Sequence, residues 1–250
     1  MNDLLIAIPA RFNSTRLPGK PLLKINNKSI VNLVYLNILK IKHINNSNII
    51  FLTDDQRIYD EVNGFGGSCY ISKKYCENGT TRIIDYLKEN NIKKKYILNI
   101  QGDEPFFDVS KIQELIYKFI ELKTSNELLK CGTLFYDSND FNYINSKNKV
   151  KLVLNEKDFI MYGSRQNIPG SKKENNSIDY HIHIGIFIYE YDYLINEYIK
   201  KNGIYQDIED LEWLKILEQD KKILALKTDI HEVGVDTQED YEYLKNKYEK

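Results

Sequence analysis

The first half of the chain alternates short apolar runs with segments whose apolar residues recur at helical spacing. Strands are predicted at LLIAIP, NIIFLTD, SCYIS, KYILNIQGD and KCGTLFY. Helices are predicted over Ser29–Lys42, Asp55–Val62, Arg82–Lys88 and Val109–Leu122. Because strands and helices alternate, the pattern favours right-handed βαβ units and a parallel sheet, and strands with apolar residues on both faces indicate helices on both sides of it.

The pattern changes from about Val150, where extended segments follow one another. These segments are VKLVLN, FIMYGSR and YHIHIGIFIYEY, and their partial alternation predicts antiparallel or mixed strands that cover one end of the sheet. Two further helices, Ile208–Leu217 and Glu239–Lys247, are predicted on either side of the strand ILALK. Thr237 and Asp240 resemble a capping box at the last helix.

Together these elements predict an α/β fold: a doubly wound, mostly parallel sheet with a smaller mixed or antiparallel extension. No internal repeat occurs, and no linker is long enough to separate independent domains, so residues 1–250 are expected to form a single domain. The polar, glycine-led segment Gly170–Ser177 is predicted to be a mobile loop.

Composition excludes several classes of protein. The net charge is −1 with 28% charged residues, so no global basic field attracts nucleic acid or an anionic membrane. No cationic leader and no run of eighteen apolar residues is present, so neither a secretion signal nor a membrane span is expected. The expected location is the cytoplasm. Cys69, Cys76 and Cys131 lack CxxC spacing, which argues against disulfides and zinc and indicates packing residues.

The first candidate for chemistry is the stretch IPARFNSTRLPGKPLL, which follows the first strand. In doubly wound sheets such loops bind ligands at the carboxyl ends of the strands. The G-x-G-x-x-G and P-loop motifs are both absent. What remains is three cations, Arg11, Arg16 and Lys20, with hydroxyls at Ser14 and Thr15. Three cations suit a triphosphate, although an ordinary solvated turn is the alternative for such a pattern.

Two carboxylates far apart in sequence are the next candidates. Asp103 ends the strand KYILNIQGD, and Asp236 precedes the last predicted helix. Two carboxylates that meet beside phosphates suit Mg²⁺, which is usually held by one or two carboxylates and substrate oxygens. The alternatives are a turn residue for Asp103 and a helix-entry cap for Asp236.

Motifs along nearly the whole chain resemble the sugar-acid cytidylyltransferases, and most closely the 3-deoxy-manno-octulosonate cytidylyltransferase family. The matching segments are IPARFNSTRLPGKPL, TDD, GTTRI, NIQGDEP, KLVL, YGSRQNIP, HIGI, LEWLKIL and GVDTQEDY. Their order and spacing fit along the full length. The resemblance implies transfer of CMP from CTP to a 3-deoxy-2-ulosonic acid used in lipopolysaccharide or capsule, with Mg²⁺ as cofactor and a homodimer as the assembly.

The resemblance also implies roles for individual residues. The implied catalytic residues are Arg16, Lys20 and Asp103, and the implied metal ligands are Asp103 and Asp236. The nucleotide is expected at Ala10, Arg11, Ser14, Gly79, Thr80, Arg82 and Gln101. The sugar acid is expected at Arg165, His183, Glu212 and Trp213, with a sugar-binding and dimerisation subregion around residues 150–205.

Four positions depart from the family pattern. Thr81 replaces a glutamate, Ile182 an arginine, Phe187 a tyrosine and Trp213 a glutamine. These changes leave CTP activation intact and put the identity of the sugar in question, because missing polar partners discriminate strongly among hydroxylated ligands. The alternatives are a related ulosonic acid, a nonulosonate, or a nucleotide-binding protein without catalysis.

Overall fold

The computed structural model describes residues 2–14, 16–140, 144–170, 172, 179–200, 203–229 and 234–249. The chain divides into two compact units. The first consists of Met1–Gln113 and His231–Lys250, and the second of Glu114–Ile230. Whether they act as the single domain expected from the sequence stays a prediction.

The first unit contains a parallel sheet. Its strands are β1 (Leu4–Pro9), β4 (Ile49–Thr53), β5 (Cys69–Ile71) and β6 (Tyr96–Asn99), and a separate antiparallel hairpin is formed by β2 (Lys24–Ile25) and β3 (Lys28–Ser29). The strand order is β6-β1-β4-β5, with every pair parallel. All residues of β1 and β4 are buried, as expected for strands covered on both faces.

The strand order creates a switch point in this sheet. From β1 the chain adds β4 and then β5 on one side, and it returns to add β6 on the other side of β1. In open α/β sheets, ligands bind in the crevice at the carboxyl ends of the two strands where the order reverses. A ligand site is therefore expected at the residues that follow β1 and β6.

Polar side chains set the beginnings of the helices in this unit. The helices are α1 (Ile30–Ile38), α2 (Gln56–Gly64), α3 (Gly79–Glu89) and α8 (Gln238–Tyr248), while α4 (Val109–Lys123) begins here and ends in the second unit. Ser29, Asp55, Asn78 and Thr237 each accept a backbone N–H of the first turn of the helix that follows. The predicted capping box of Thr237 with Asp240 is confirmed.

The second unit is mainly antiparallel. Its strands are β7 (Leu129–Ser138), β8 (Lys151–Leu154), β9 (Ile160–Ser164), β10 (Tyr180–Glu190) and β11 (Lys222–Lys227), and its helices are α5 (Tyr191–Asn196), α6 (Ile204–Glu209) and α7 (Leu214–Glu218). β10 is antiparallel to β7 and β8, β8 is antiparallel to β9, and β11 is parallel to β7. The α/β class and its antiparallel extension are thus confirmed.

Three local predictions need correction or fall outside the description. The single helix Ile208–Leu217 is wrong: Asp210 has a left-handed φ of 51°, so α6 ends there and α7 begins after Trp213. The first helix ends at Ile38 instead of Lys42, where i→i−3 bonds replace the helical pattern. The loop predicted at Gly170–Ser177 lies almost entirely outside the described residues.

Candidate active site

A cavity of about 290 Å³ lies within the first unit at the switch point of its sheet. Its lining combines the residues after β1, the residues after β6, the beginning of α3 and the residue before Thr237. The lining residues are Pro9, Ala10, Arg11, Asn13, Ser14, Arg16, Lys20, Pro21, Cys76, Asn78, Gly79, Arg82, Gln101, Gly102, Asp103 and Asp236. Nearly all of the residues predicted for the nucleotide and the metal therefore share one cavity.

The loop after β1 is held by its own backbone. The carbonyl of Phe12 accepts hydrogen bonds from the N–H groups of Ser14 (3.0 Å) and Gly19 (2.8 Å). Gly19 has a φ of 72°, and a Cβ at this position would lie 3.0 Å from the Phe12 ring. The Arg57 guanidinium also packs on that ring, with its Cζ 3.4 Å from the ring centroid. Glycine is therefore required where the loop folds back on itself.

Lys20 joins the two candidate metal ligands. Its Nζ contacts Asp103 Oδ2 and lies 2.9 Å from Asp236 Oδ1. Arg16 lies on the other side of Asp236, with Nη2 3.3 Å from Oδ2. Two carboxylates and two cations from distant parts of the chain thus form one cluster at the cavity wall.

The surroundings of Lys20 keep it charged. Burial alone would lower the pKa of Lys20, which is only 7% exposed, but the negative charges and hydrogen bonds of Asp103 and Asp236 outweigh that effect and raise the pKa above 10.5. The ammonium therefore remains protonated at neutral pH.

Backbone contacts bring the two carboxylates together. Gly102 N–H donates to Pro9 O (3.1 Å), and a Cβ on Gly102 would lie 2.8 Å from Ala10 Cβ, so only glycine permits this approach. Val235 N–H donates to the carbonyl of Asp103 (2.8 Å). The segment before α8 is thereby held against the end of β6, which places Asp236 beside Asp103.

The beginning of α3 forms the opposite wall. Asn78 caps the helix through Thr81 N–H (2.8 Å), and a Cβ on Gly79 would lie 3.1 Å from the Pro9 ring. Arg82 is 4% exposed and donates from Nη2 to Asp54 Oδ2 (2.7 Å). Among the described residues its Nη1 has no hydrogen-bond partner. A buried cationic donor of this kind is completed by an anionic or polar ligand.

Two amide side chains connect β6 to the cavity. Gln101 lines the cavity and donates from Nε2 to Asn99 Oδ1 (3.2 Å). Asn99 is fully buried, and its Nδ2 finds no hydrogen-bond partner within the described part of the chain. Because this bond engages the amide nitrogen of Gln101, its Oε1 remains an acceptor.

Thr80 is the one residue predicted at the nucleotide that does not line the cavity. Its side chain is completely buried on the inner face of α3. Thr15, noted in the sequence as a hydroxyl donor, lies outside the described residues. A role for Thr80 at the nucleotide stays a prediction.

Arg165 of the second unit is already engaged by the chain itself. Its Nε donates to Glu209 O (2.7 Å), Nη1 to Lys147 O (3.0 Å) and Nη2 to Asp210 O (2.8 Å). Its neighbour Lys151 is fully buried and donates to the carbonyl of Arg165 (2.6 Å). The chain itself thus accepts hydrogen bonds from all three guanidinium nitrogens, and the predicted contact of Arg165 with a sugar carboxylate stays a prediction.

His183 and Trp213 pack against each other, with ring centroids 5.3 Å apart. Trp213 is 2% exposed, and a Cβ on Gly163 would lie 2.2 Å from its indole, so the glycine provides the space that the ring occupies. Burial lowers the pKa of His183 to about 3, which makes the imidazole neutral. The backbone carbonyl of Glu212 accepts from Tyr198 Oη (3.1 Å).

Sequence reasoning gave no role to Asn78, which lines the cavity, or to Asp54, which contacts the lining residue Arg82. Asp54 holds Arg82, and Asn78 caps α3. The signals were available: Asp54 directly follows a buried strand, and Asn78 precedes the helical segment by one residue. Within the described ranges no group of three or more His, Cys, Asp or Glu side chains is arranged to hold a metal ion. No helix among those residues is long and apolar enough to cross a membrane.

Comparison with known proteins gives consistent matches. A family model described as cytidylyltransferase matches residues 5–223. The chain is 41% identical over 240 residues to the 3-deoxy-manno-octulosonate cytidylyltransferase of Fusobacterium nucleatum, covering 96% of this chain and 94% of that protein. It is 35% identical over 252 residues to the 3-deoxy-manno-octulosonate cytidylyltransferase of Leptospira biflexa, covering 100% and 98%.

Solved structures agree with the sequence matches. CMP:2-keto-3-deoxy-manno-octonic acid synthetase in complex with CTP superposes with a TM-score of 0.86 at 28% identity, covering 97% of each chain. A cytidylyltransferase from Leptospira borgpetersenii superposes with a TM-score of 0.63 at 19% identity, covering 97% of this chain and 85% of that one, and shares the fold.

Proposed function

The chain belongs to the cytidylyltransferase family, and from that premise we propose that it transfers CMP from CTP to the anomeric hydroxyl of a 3-deoxy-2-ulosonic acid and releases pyrophosphate. The family resemblance of its sequence motifs is confirmed. The sugar acid named in the curated relatives is 3-deoxy-manno-octulosonate, and we assign it as the substrate.

One observation carries this proposal: the cavity at the switch point joins cations to a pair of carboxylates. Arg11, Arg16, Lys20 and Arg82 all line it, and Lys20 contacts both Asp103 and Asp236. The cations match a triphosphate, because guanidinium and ammonium groups form charge-assisted hydrogen bonds to phosphate oxygens. Gln101 offers its amide oxygen as an acceptor to a base edge, while its Nε2 donates to Asn99.

The two carboxylates fit the cofactor that the family resemblance implies. Asp103 and Asp236 both present hard carboxylate oxygens to the Lys20 ammonium, and two carboxylates with substrate phosphates are a typical ligand set for Mg²⁺. We therefore propose that these residues hold Mg²⁺ when CTP is bound. The ion would supply charge neutralisation at the phosphates.

The residues of the chain account for the rest of the reaction. In the transfer, the sugar hydroxyl attacks the α-phosphorus, a new C–O–P bond forms, and the bond to the pyrophosphate oxygen breaks. In this proposal Lys20 and Arg16, which both line the cavity, neutralise the charge that develops on the phosphate oxygens. Arg82, held by Asp54, orients the nucleotide from the opposite wall. Positioning and electrostatics thus supply the catalysis.

The departures from the family pattern bear on which sugar acid is used. Thr81 accepts a hydrogen bond from Asn78 N–H (3.1 Å), so it fulfils the capping function of a residue at that position. Ile182 is fully buried, and Phe187 is 4% exposed and lies beside His183, with 5.1 Å between ring centroids. A nonulosonate is the alternative substrate that these apolar replacements keep open.

The reaction is tested by following pyrophosphate release from CTP with a panel of sugar acids. We expect pyrophosphate release with 3-deoxy-manno-octulosonate and Mg²⁺. Release should stop when a chelator removes Mg²⁺, and it should resume when the ion is added back. Preference for a nonulosonate would move the assignment to the alternative. Nucleotide binding without release for any sugar would support a non-catalytic protein.

We also propose that the chain acts as a homodimer in the cytoplasm. Apolar side chains of the second unit are exposed, with Met161 at 60%, Ile204 at 71% and Ile208 at 73%, and the first two of them lie within the predicted dimerisation subregion around residues 150–205. Mass in solution should be about twice 29.5 kDa. Ile204→Asp should reduce it to one chain, whereas Tyr75→Asp, which changes an exposed ring of the first unit, should not.

A further inference from the structure

Thr133 lies at an irregularity of the sheet in the second unit. The pairing of β10 with β7 shifts between Ile184 and Phe187, so that Leu134 pairs with Ile184 and Thr133 with Phe187. Residues 185 and 186 therefore form a bulge on β10 opposite Thr133. The Thr133 side chain is completely buried there.

The hydroxyl of Thr133 meets three polar atoms of β10. Its Oγ1 lies 2.7 Å from Ile186 O, 3.1 Å from Ile184 O and 3.0 Å from His183 Nε2. A hydroxyl has one proton to donate and lone pairs to accept with. Both carbonyl oxygens are acceptors only, so the proton of Thr133 is directed to them, and the shorter contact is with Ile186.

This arrangement decides which nitrogen of His183 carries its proton. If Thr133 donates to a carbonyl, its lone pairs face Nε2, and a hydrogen bond forms only when Nε2 bears a hydrogen. In the opposite tautomer, Thr133 would donate to Nε2, and two carbonyl oxygens would face the hydroxyl oxygen without a proton between them. Because the Thr133 oxygen accepts a hydrogen bond on the side of Nε2, the proton of the neutral imidazole is assigned to Nε2.

We propose that Thr133 is a positioning residue that fixes His183 as the Nε2–H tautomer, so that Nδ1 is presented as a hydrogen-bond acceptor to a hydroxyl of the sugar acid. The tautomer stands on the geometry alone, and the part about the sugar rests on the proposed function. Among the described residues the hydrogen bond of the His183 ring is the one between Nε2 and Thr133, so Nδ1 is available to a ligand. The neutral imidazole that burial produces agrees with this role.

The tautomer is measured by ¹H–¹⁵N correlation of the imidazole groups in the unliganded protein. The chain has four histidines, so the His183 signals can be assigned from their loss in His183→Asn. His181 is an internal reference, because its Nδ1 lies 2.6 Å from Asp137 Oδ1 and should show the opposite pattern. We expect a protonated Nε2 and a bare Nδ1 for His183. A protonated Nδ1 would overturn the proposal without any variant.

The sugar part is tested with two variants of Thr133. Thr133→Val keeps the β-branched shape without the hydroxyl, and we expect kcat/KM for the sugar acid to fall roughly tenfold while KM for CTP is unchanged. Thr133→Ser retains the hydroxyl and should restore both the tautomer and the activity. Should the valine variant fold poorly, the serine variant and the spectrum of the parent protein still decide the tautomer.

The outcomes separate this proposal from the proposed function. A Thr133→Val protein that shifts the tautomer and keeps its kcat/KM would overturn the sugar contact alone. A parent protein that shows the expected tautomer but releases no pyrophosphate with any sugar acid would overturn the proposed function and leave the tautomer in place.

Discussion

The nucleotide cavity of the first unit and the predicted sugar-acid residues of the second unit differ in how far the chain satisfies its own polar groups. In the cavity, Arg82 has a buried Nη1 without a partner among the described residues, and Arg16 is half-exposed. In the second unit, Arg165 donates from all three nitrogens to its own chain, and Trp213 is buried. The first arrangement leaves a buried cationic donor that a charged ligand would satisfy, whereas in the second the Arg165 guanidinium is already satisfied by the chain itself.

The largest effect is expected for Asp103→Asn. A neutral amide oxygen binds Mg²⁺ weakly and leaves Lys20 with one carboxylate partner fewer. We expect kcat to fall by at least about 10³-fold, the upper range for loss of one preorganised electrostatic group, while metal-free CTP binding survives. Steady-state pyrophosphate release and calorimetric CTP binding measure the two quantities. Asp60→Asn, an exposed carboxylate on α2, is the control, and near-parent activity of Asp103→Asn would remove Asp103 from the site.

Lys20→Ala should cost about 2–4 kcal/mol of transition-state stabilisation, because one charge that faces the phosphates is removed. The raised pKa adds a pH criterion. A lysine whose folded pKa is above its unfolded value of 10.5 keeps its stabilising charge below that pH and loses it only as pH rises through the folded pKa. Because Lys20 stays charged between pH 7 and 9, its titration should not contribute to the pH dependence of activity in that range. The pH profiles of the parent and Lys20→Arg should therefore have the same shape there. A rise confined to KM for the sugar would place Lys20 elsewhere.

Trp213→Gln tests whether the second unit depends on packing. The indole is buried against Gly163, so its replacement should lower the free energy of unfolding by about 2–4 kcal/mol. Denaturant titration measures this change. Tyr75→Gln, at a side chain that is 91% exposed, should change stability by less than about 0.5 kcal/mol. Equal stability of the two variants would show that the indole does not stabilise the second unit by packing.

His183 predicts a pH dependence of stability. Its folded pKa of about 3 lies below the unfolded value of 6.5, so between these values the unfolded chain binds the proton and the folded one does not. The free energy of unfolding should therefore fall as pH falls from 6.5 toward 3. At pH 5 the loss relative to neutral pH should be about 1–2 kcal/mol. Urea titrations at several pH values give the free energy of unfolding as a function of pH, and this dependence should be shallower for His183→Asn than for the parent. An equal pH dependence of the two proteins would mean that the imidazole is protonated in the folded protein.

The smallest effect is expected for Asp54→Asn. The carboxylate holds Arg82 by a single contact of 2.7 Å and is 38% exposed, so solvent weakens the pair. We expect KM for CTP to rise about three- to tenfold with kcat little changed. A lower kcat at unchanged KM would instead indicate that Asp54 acts in the chemical step.

The comparison also explains which parts could be predicted from the sequence. Buried parallel strands such as β1 are continuous apolar runs, and the loop after β1 carries its cations in one short stretch, so both are visible locally. The hairpin β2–β3 was missed because its turn is made by Asn26 and Asn27, with left-handed φ values of 49° and 61°, instead of by glycine.

The break at Asp210 was missed for a related reason. Apolar spacing continued through it, while the left-handed residue is stabilised by tertiary contacts: the carbonyl of Asp210 accepts from Arg165 Nη2 (2.8 Å). The pairing of Arg82 with Asp54 depends on two elements that are distant in sequence. Such contacts have no local signature, because the fold creates them.

The most direct test of the central claim is ³¹P NMR of the parent protein with CTP, Mg²⁺ and 3-deoxy-manno-octulosonate. The account predicts that the three CTP signals are replaced by one phosphodiester signal of the CMP-sugar and by pyrophosphate, in equal molar amounts. CTP that remains intact, or that yields pyrophosphate and CMP without a sugar phosphodiester, would contradict it.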